Sequence, residues 1–221
     1  MPRVIKTNED AAGQIRREAL AAGASSITLC TQAYGELQKY IKEQGQGGGI
    51  CRSLAMAWLE GRKTGVNFLQ KMLGPGGTIR TGEVLPMCQA YKAAGQLTID
   101  EQQALIIANL TAKGLASTGS EKLTQVGAGT NVSAWFTQNS AMSGIGQLRS
   151  INVFGGYNHA MAMDISQQYA IFFDPNWGAF TFPTHLKMVA FLEKSMFVLS
   201  GGQYLYADFK EFRNAMKICF S

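Results

Sequence analysis

Between residues 151 and 182 four short apolar runs follow one another: Ile151–Phe154, His159–Met163, Tyr169–Phe173 and Ala179–Phe182. They are separated by Gly155-Gly156, Ser166-Gln167-Gln168 and Pro175-Asn176-Trp177-Gly178. Each run is too short for a helix and rich in the aromatic and apolar residues of strands. The gaps are too short for the crossover that parallel strands require. The short turns therefore imply an antiparallel meander.

The preceding residues read mainly as helices. Asn8-Glu9-Asp10-Ala11 resembles a helix start, with Ile15, Ala19 and Ala22 as the apolar side and Gly23 as the stop. An equal reading of residues 1–24 is a mobile leader before a single domain over 25–221. Residues 27–43 read as one helix carrying Leu29, Ala33, Leu37, Tyr40 and Ile41. A second helix runs from Cys51 to about Glu60, and shorter ones cover Val66–Leu73 and Glu83–Ala94. Thr98-Ile99-Asp100-Glu101 is a capping box opening a helix that ends at Gly114. Residues 114–150 suit long loops between short strands. Past the meander, Pro183 opens a helix through Leu192, and Tyr204–Ala207 reads as a further strand. Helices first and sheet second imply an α+β fold with segregated halves.

Composition narrows the function classes. The 221 residues carry a net charge of +5 and only 16% charged side chains. That basicity suits an acidic partner or an anionic membrane surface, but no dense Lys/Arg block or nucleic-acid motif is present. No apolar run reaches the ~18–20 residues of a membrane span. Cys30, Cys51, Cys88 and Cys219 are scattered without metal-ligand spacing, and with only two histidines a metal centre or cofactor is not expected. The start Met1–Lys6 lacks the apolar core of a signal peptide, so the thiols read as reduced. Gly45–Gly49 lacks the Lys-Ser/Thr ending of a phosphate-binding loop.

The chemistry points to Cys51. A glycine run, Gly47-Gly48-Gly49, leads into Ile50-Cys51, after which Leu54, Ala55, Trp58 and Leu59 mark one apolar helix face. A cysteine at a helix N-terminus meets unpaired N–H groups and the positive end of the dipole, which favour thiolate. The bland alternative is a small buried core residue. A nucleophile needs a base, and His159 heads a strand while His185 lies near a helix start. Asp174 closes the strand after His159, ahead of Pro175-Asn176. If these strands form a hairpin about Ser166–Gln168, residues 159 and 174 lie opposite each other or nearly so, with Cβ atoms roughly 4.5–5.5 Å apart. A carboxylate there would orient the imidazole and stabilise the imidazolium. The alternatives are a structural histidine and an Asx turn at Asp174-Pro175-Asn176.

Taken together, Gly49-Ile50-Cys51 before the Trp58 helix, His159-Ala160-Met161-Ala162 and Phe172-Phe173-Asp174-Pro175-Asn176-Trp177-Gly178 resemble the YopT-type cysteine proteases. The resemblance implies a papain-like fold: an N-terminal helical half packed on a C-terminal antiparallel sheet, with the catalytic cleft between them. It further implies an endopeptidase of the bacterial effector or toxin kind, exported by a specialised system and cleaving a host or competitor protein. Cys51 would be the nucleophile, His159 the base and then acid, and Asp174 the orienting carboxylate. The Cys51 N–H would form half of an oxyanion hole, and Gln46 the other half, with Gln44 as second choice. Losing such a donor costs about 10²–10³ in rate.

Two rival readings accompany this one. The same triad supports deamidation, transglutamination or acyl transfer, because all pass through a thioester. A binding module with Cys51 as core predicts an unreactive thiol.

Overall fold

The computed structural model describes residues 8–28, 31–32, 35–43, 50–68, 72, 86, 98–124, 150–156, 159–166, 168–196 and 214–221. Five α-helices are found among them: α1 (Asn8–Ala21), α2 (Gly35–Glu43), α3 (Cys51–Thr64), α4 (Ile99–Ala112) and α5 (His185–Phe191). Strands are β1 (Ser26–Thr28), β2 (Ser117–Thr124), β3 (Ser150–Gly156), β4 (His159–Ile165), β5 (Ala170–Asp174), β6 (Gly178–Phe182) and β7 (Asn214–Phe220). They form one sheet in the order β1-β6-β5-β4-β3-β7-β2, and each of its pairings is antiparallel. The meander expected from the four apolar runs is its centre, β3 to β6.

The sheet carries apolar residues on both faces, so both are covered. Along β4, Ala160 and Ala162 belong to one core, and Met161, Met163 and Ile165 to the other. The alternation is the period of a strand. The first core takes α2 through Leu37 and Ile41, α3 through Leu54, Trp58 and Leu59, and α4 through Ile106 and Leu110. The second takes α1 through Ile15 and Ala19, and α5 through Met188 and Phe191. The fold is thus α+β, with helices on an antiparallel sheet as the papain-like reading requires. The segregation is by face: α2 to α4 lie on one side, while α1 and α5 lie on the other.

Local chemistry explains where the helices start and stop. Thr98 Oγ1 accepts the Glu101 N–H at 3.3 Å, and Glu101 Oε2 accepts the Thr98 N–H at 2.8 Å, completing the capping box that opens α4. The Thr98 hydroxyl and N–H hold the Glu101 carboxyl below its usual range. α3 ends on Gly65 at φ +75°, a left-handed position suited to glycine. Thr184 caps α5, whose chain continues as a π-helical turn over Leu192–Met196.

One expectation is corrected. Residues 27–43 are not one helix: Ser26–Thr28 pair with Thr181, Phe180 and Ala179 of β6, and the helix described is Gly35–Glu43. An available sheet edge outweighs a weak helical period. Residues 117–124, within the stretch read as long loops between short strands, form the edge strand β2. Its sequence STGSEKLT lacks an apolar alternation, so nothing local marks it. The expected elements at 83–94 and 204–207 fall on residues that, apart from Pro86, lie outside those described. Among the described residues no helix is long and apolar enough to cross a membrane.

Candidate active site

Cys51 is the first residue of α3 and is 9% exposed. Its sulfur is a thiol, not half of a disulfide. Ile50, the N-cap, has φ −124° and ψ 28° and offers no capping side chain. Its carbonyl accepts the first helical bond, from Leu54 N–H at 3.0 Å. The amides of Cys51, Arg52 and Ser53 therefore have no acceptor within the helix. Cys51 thus stands at the positive end of the α3 dipole. The Arg52 guanidinium donates to Gln102 Oε1, fastening this end of α3 to α4.

The far end of α3 is fastened to the sheet. Arg62 Nε donates to Asp164 Oδ2 of β4 at 2.6 Å, and Arg62 Nη2 reaches the Tyr169 hydroxyl at 3.3 Å. The same guanidinium lies over the rings of Trp58 and Tyr169. Asp164 is fully buried, so its charge needs this partner. A cavity of about 190 Å³ borders this end, lined by residues that include Trp58, Gly61, Arg62 and Phe68. Gly61 lies ten residues, about 15 Å, along α3 from Cys51, so the cavity is remote from the thiol.

Asp174 ends β5 and is fully buried. Its Oδ1 accepts the Asn176 N–H at 2.8 Å, and its carbonyl accepts the Trp177 N–H at 2.9 Å. The Asx turn considered as an alternative is therefore present. It uses one carboxylate oxygen, and a carboxylate has two. Gly178 pairs with Asp174 at φ +112°, a backbone state that a side chain would strain.

The expected alignment of residues 159 and 174 is corrected. The β4–β5 ladder pairs Ala162 with Phe173, Met163 with Phe172, Asp164 with Ile171 and Ile165 with Ala170. Continuing that register sets Asp174 beside Met161, and His159 two residues further along β4. The relation is diagonal, at roughly 7–8 Å between Cα atoms, rather than directly opposed. The cause is the turn. Ser166 N–H bonds the Tyr169 carbonyl at 2.8 Å, while its Oγ accepts the amides of Gln168 and Tyr169 at 3.2 and 3.1 Å. The closing pair is thus Ser166–Tyr169, one residue later than the reversal assumed. His159 is the first residue of β4, paired with Gly156 of β3. Gln46 and Gln44 lie outside the described residues.

One residue that local pattern did not single out joins the two ends. Gln32 donates its N–H to the Pro175 carbonyl at 2.8 Å and its Nε2 to Asn176 Oδ1 at 3.0 Å. Its Oε1 accepts the Ile50 N–H at 2.8 Å. The start of the Cys51 helix and the Asp174 turn are thereby tied through a single side chain. No short-range signal could have found it, because its partners lie 18 and 144 residues away.

Over residues 25–213 the chain matches the family model described as Yersinia/Haemophilus virulence surface antigen (Peptidase_C58). No curated protein matches it significantly. Among solved structures, the Pseudomonas avirulence protein AvrPphB is 16% identical at a TM-score of 0.49, covering 79% of this chain and 93% of that one. PatoxP, a cysteine protease-like domain of the Photorhabdus asymbiotica toxin PaTox, is 17% identical at 0.35, covering 85% and 55%. The YopT domain of the Pasteurella multocida PfhB2-toxin is 21% identical at 0.32, covering 80% and 87%.

Proposed function

Because the chain belongs to the peptidase family C58 described as Yersinia/Haemophilus virulence surface antigen, we propose that it is a cysteine endopeptidase working through Cys51, His159 and Asp174. The observation that supports this reading most is the pairing of a buried thiol at a helix start with a buried carboxylate turn bonded to that same start. A core cysteine would need no tie between its helix start and a buried carboxylate turn.

In this mechanism the His159 imidazole takes the Cys51 proton, helped by the dipole of α3. The Asp174 carboxylate orients the ring and stabilises its cation. The thiolate attacks the scissile carbonyl, and the resulting oxyanion meets the Cys51 N–H and the Gln46 amide. The imidazolium then protonates the leaving amine, giving a thioester. Water, activated by the neutral ring, hydrolyses it and frees the thiol. Gln46 lies five residues before Cys51, close enough along a glycine-rich segment to serve as that donor. Residues 25–221 would constitute the peptidase domain, with α1 packed on its sheet through Ile15 and Ala19.

The substrate is a protein, in keeping with a peptidase family. We place its action inside a host or competitor cell, as an exported effector or toxin; its basic surface suits an acidic partner or an anionic membrane.

The test is a comparison of new protein N-termini in target-cell extract treated with the wild type and with Cys51→Ala. Fragments made by the wild type alone are expected. A folded Cys51→Ala protein that makes the same fragments would overturn the proposal. Gln-to-Glu conversion without fragments would assign the thioester to deamidation instead.

A further inference from the structure

We propose that Gln32 is a positioning residue for the reaction: its carboxamide sets the Cys51 helix start against the Asp174 turn. The inference rests on the peptidase reading above and adds a residue to it. Gln32 is half-buried and makes three hydrogen bonds, each to a group next to a candidate catalytic residue. Ile50 immediately precedes Cys51. Pro175 immediately follows Asp174, and the Asn176 N–H holds Asp174 Oδ1. Two bonds in series across one amide keep Ile50 N and Asn176 Oδ1 within about 8 Å of each other.

The chemistry of the side chain fits this task. Ile50 presents an N–H and needs an acceptor; Asn176 presents a carbonyl oxygen and needs a donor. A neutral carboxamide supplies both at once without placing a negative charge beside the thiol. A glutamate there would oppose thiolate formation, and an asparagine would be one methylene too short to span the gap. Ile50 also has little conformational slack: its backbone is outside the helical region, while its carbonyl already begins α3. Fixing its N–H fixes the entry angle of the chain into Cys51. No proton passes through Gln32; it acts by holding the thiol where an imidazole on β4 and the carboxylate on β5 can both serve it.

The experiment reads the pH profile of Cys51 alkylation by iodoacetamide in the full chain, followed on the Cys51 peptide by mass spectrometry. Wild type, Gln32→Met, Asn176→Ala, the double variant and His159→Ala are compared, each with its melting midpoint. Methionine keeps the length and removes both polar ends. The wild type is expected to react on the acid side of an ordinary thiol. Gln32→Met should move that limb up by roughly one pH unit, a loss of about tenfold near pH 6. Asn176→Ala should do the same, and the double variant should be no worse than Gln32→Met. A Gln32→Met profile that overlays the wild type, or additive effects in the double variant, would overturn the inference. Should Gln32→Met fail to fold, Asn176→Ala carries the test alone, because it leaves the Gln32–Ile50 bond in place. A wild-type profile identical to that of His159→Ala would instead remove the peptidase reading and this inference with it.

Discussion

Trp58 of α3 lies flat on Phe173 of β5, with ring centroids 5.3 Å apart and planes 10° from parallel. Phe173 directly precedes Asp174, and Trp58 is two helical turns past Cys51. The stacked pair therefore sets the spacing between the thiol helix and the acid strand from below. Trp58→Ala should cost about 3–5 kcal/mol, since it removes a buried ring and leaves a cavity. Trp58→Phe, which keeps a stacking partner, should cost less. Urea unfolding of the two variants checks the order, and equal losses would show that the stack adds nothing beyond volume.

Asp174 has two separable jobs, and substitution can divide them. Asn at 174 keeps an oxygen for the Asn176 N–H, so the turn and the melting midpoint should be retained. The charge is lost, and proteolysis should fall by about 10²–10⁴. Asp174→Ala loses both and should also melt lower. Turnover of a cleaved substrate, measured beside thermal unfolding, separates the two. A fully active Asp174→Asn protein would leave the carboxylate with the turn alone.

The Arg62–Asp164 pair joins a half-exposed guanidinium to a carboxylate with no exposure. Arg62→Met leaves that carboxylate buried without its cation and should cost about 3 kcal/mol or more. The double change Arg62→Met with Asp164→Leu should recover most of the loss, because a dry apolar pair is no worse than an ion pair in such a place. Chemical denaturation of both variants measures the difference.

Gly61 sits inside α3, where alanine would ordinarily stabilise by about 1 kcal/mol. Here a Cβ would lie 2.7 Å from the Val66 carbonyl oxygen and 3.0 Å from Phe68 Cβ. Overpacking against backbone costs about 1–3 kcal/mol and should outweigh the propensity gain. Gly61→Ala is expected to lower the melting midpoint. A rise would mean that the Val66–Phe68 segment yields easily.

Elements whose own residues carry their reason for forming were the readable ones. The alternation in β4, the capping box at Thr98 and the apolar face of α3 are all written within a few residues. What escaped depends on distant partners. β1 is three residues held by β6, and β2 and β7 pair across about ninety residues of chain. The hairpin of β4 and β5 was visible, but its register turned on a serine hydroxyl that spacing cannot reveal. For the site, Cys51 and Asp174 stand out by local chemistry. Gln32 does not, because a glutamine in a loop carries no mark of the amide and carbonyl it will meet.

The sheet order places β7, the last strand of the chain, between β3 and β2 rather than at an edge. A chain emerging from the ribosome thus offers β2 long before the strand that joins it to the sheet. Gln32 waits in the same way for Pro175 and Asn176. The pieces that align thiol and carboxylate are made early, and those that lock them are made late. During translation the helix that begins at Cys51 exists before the turn at Pro175 and Asn176 to which Gln32 ties it.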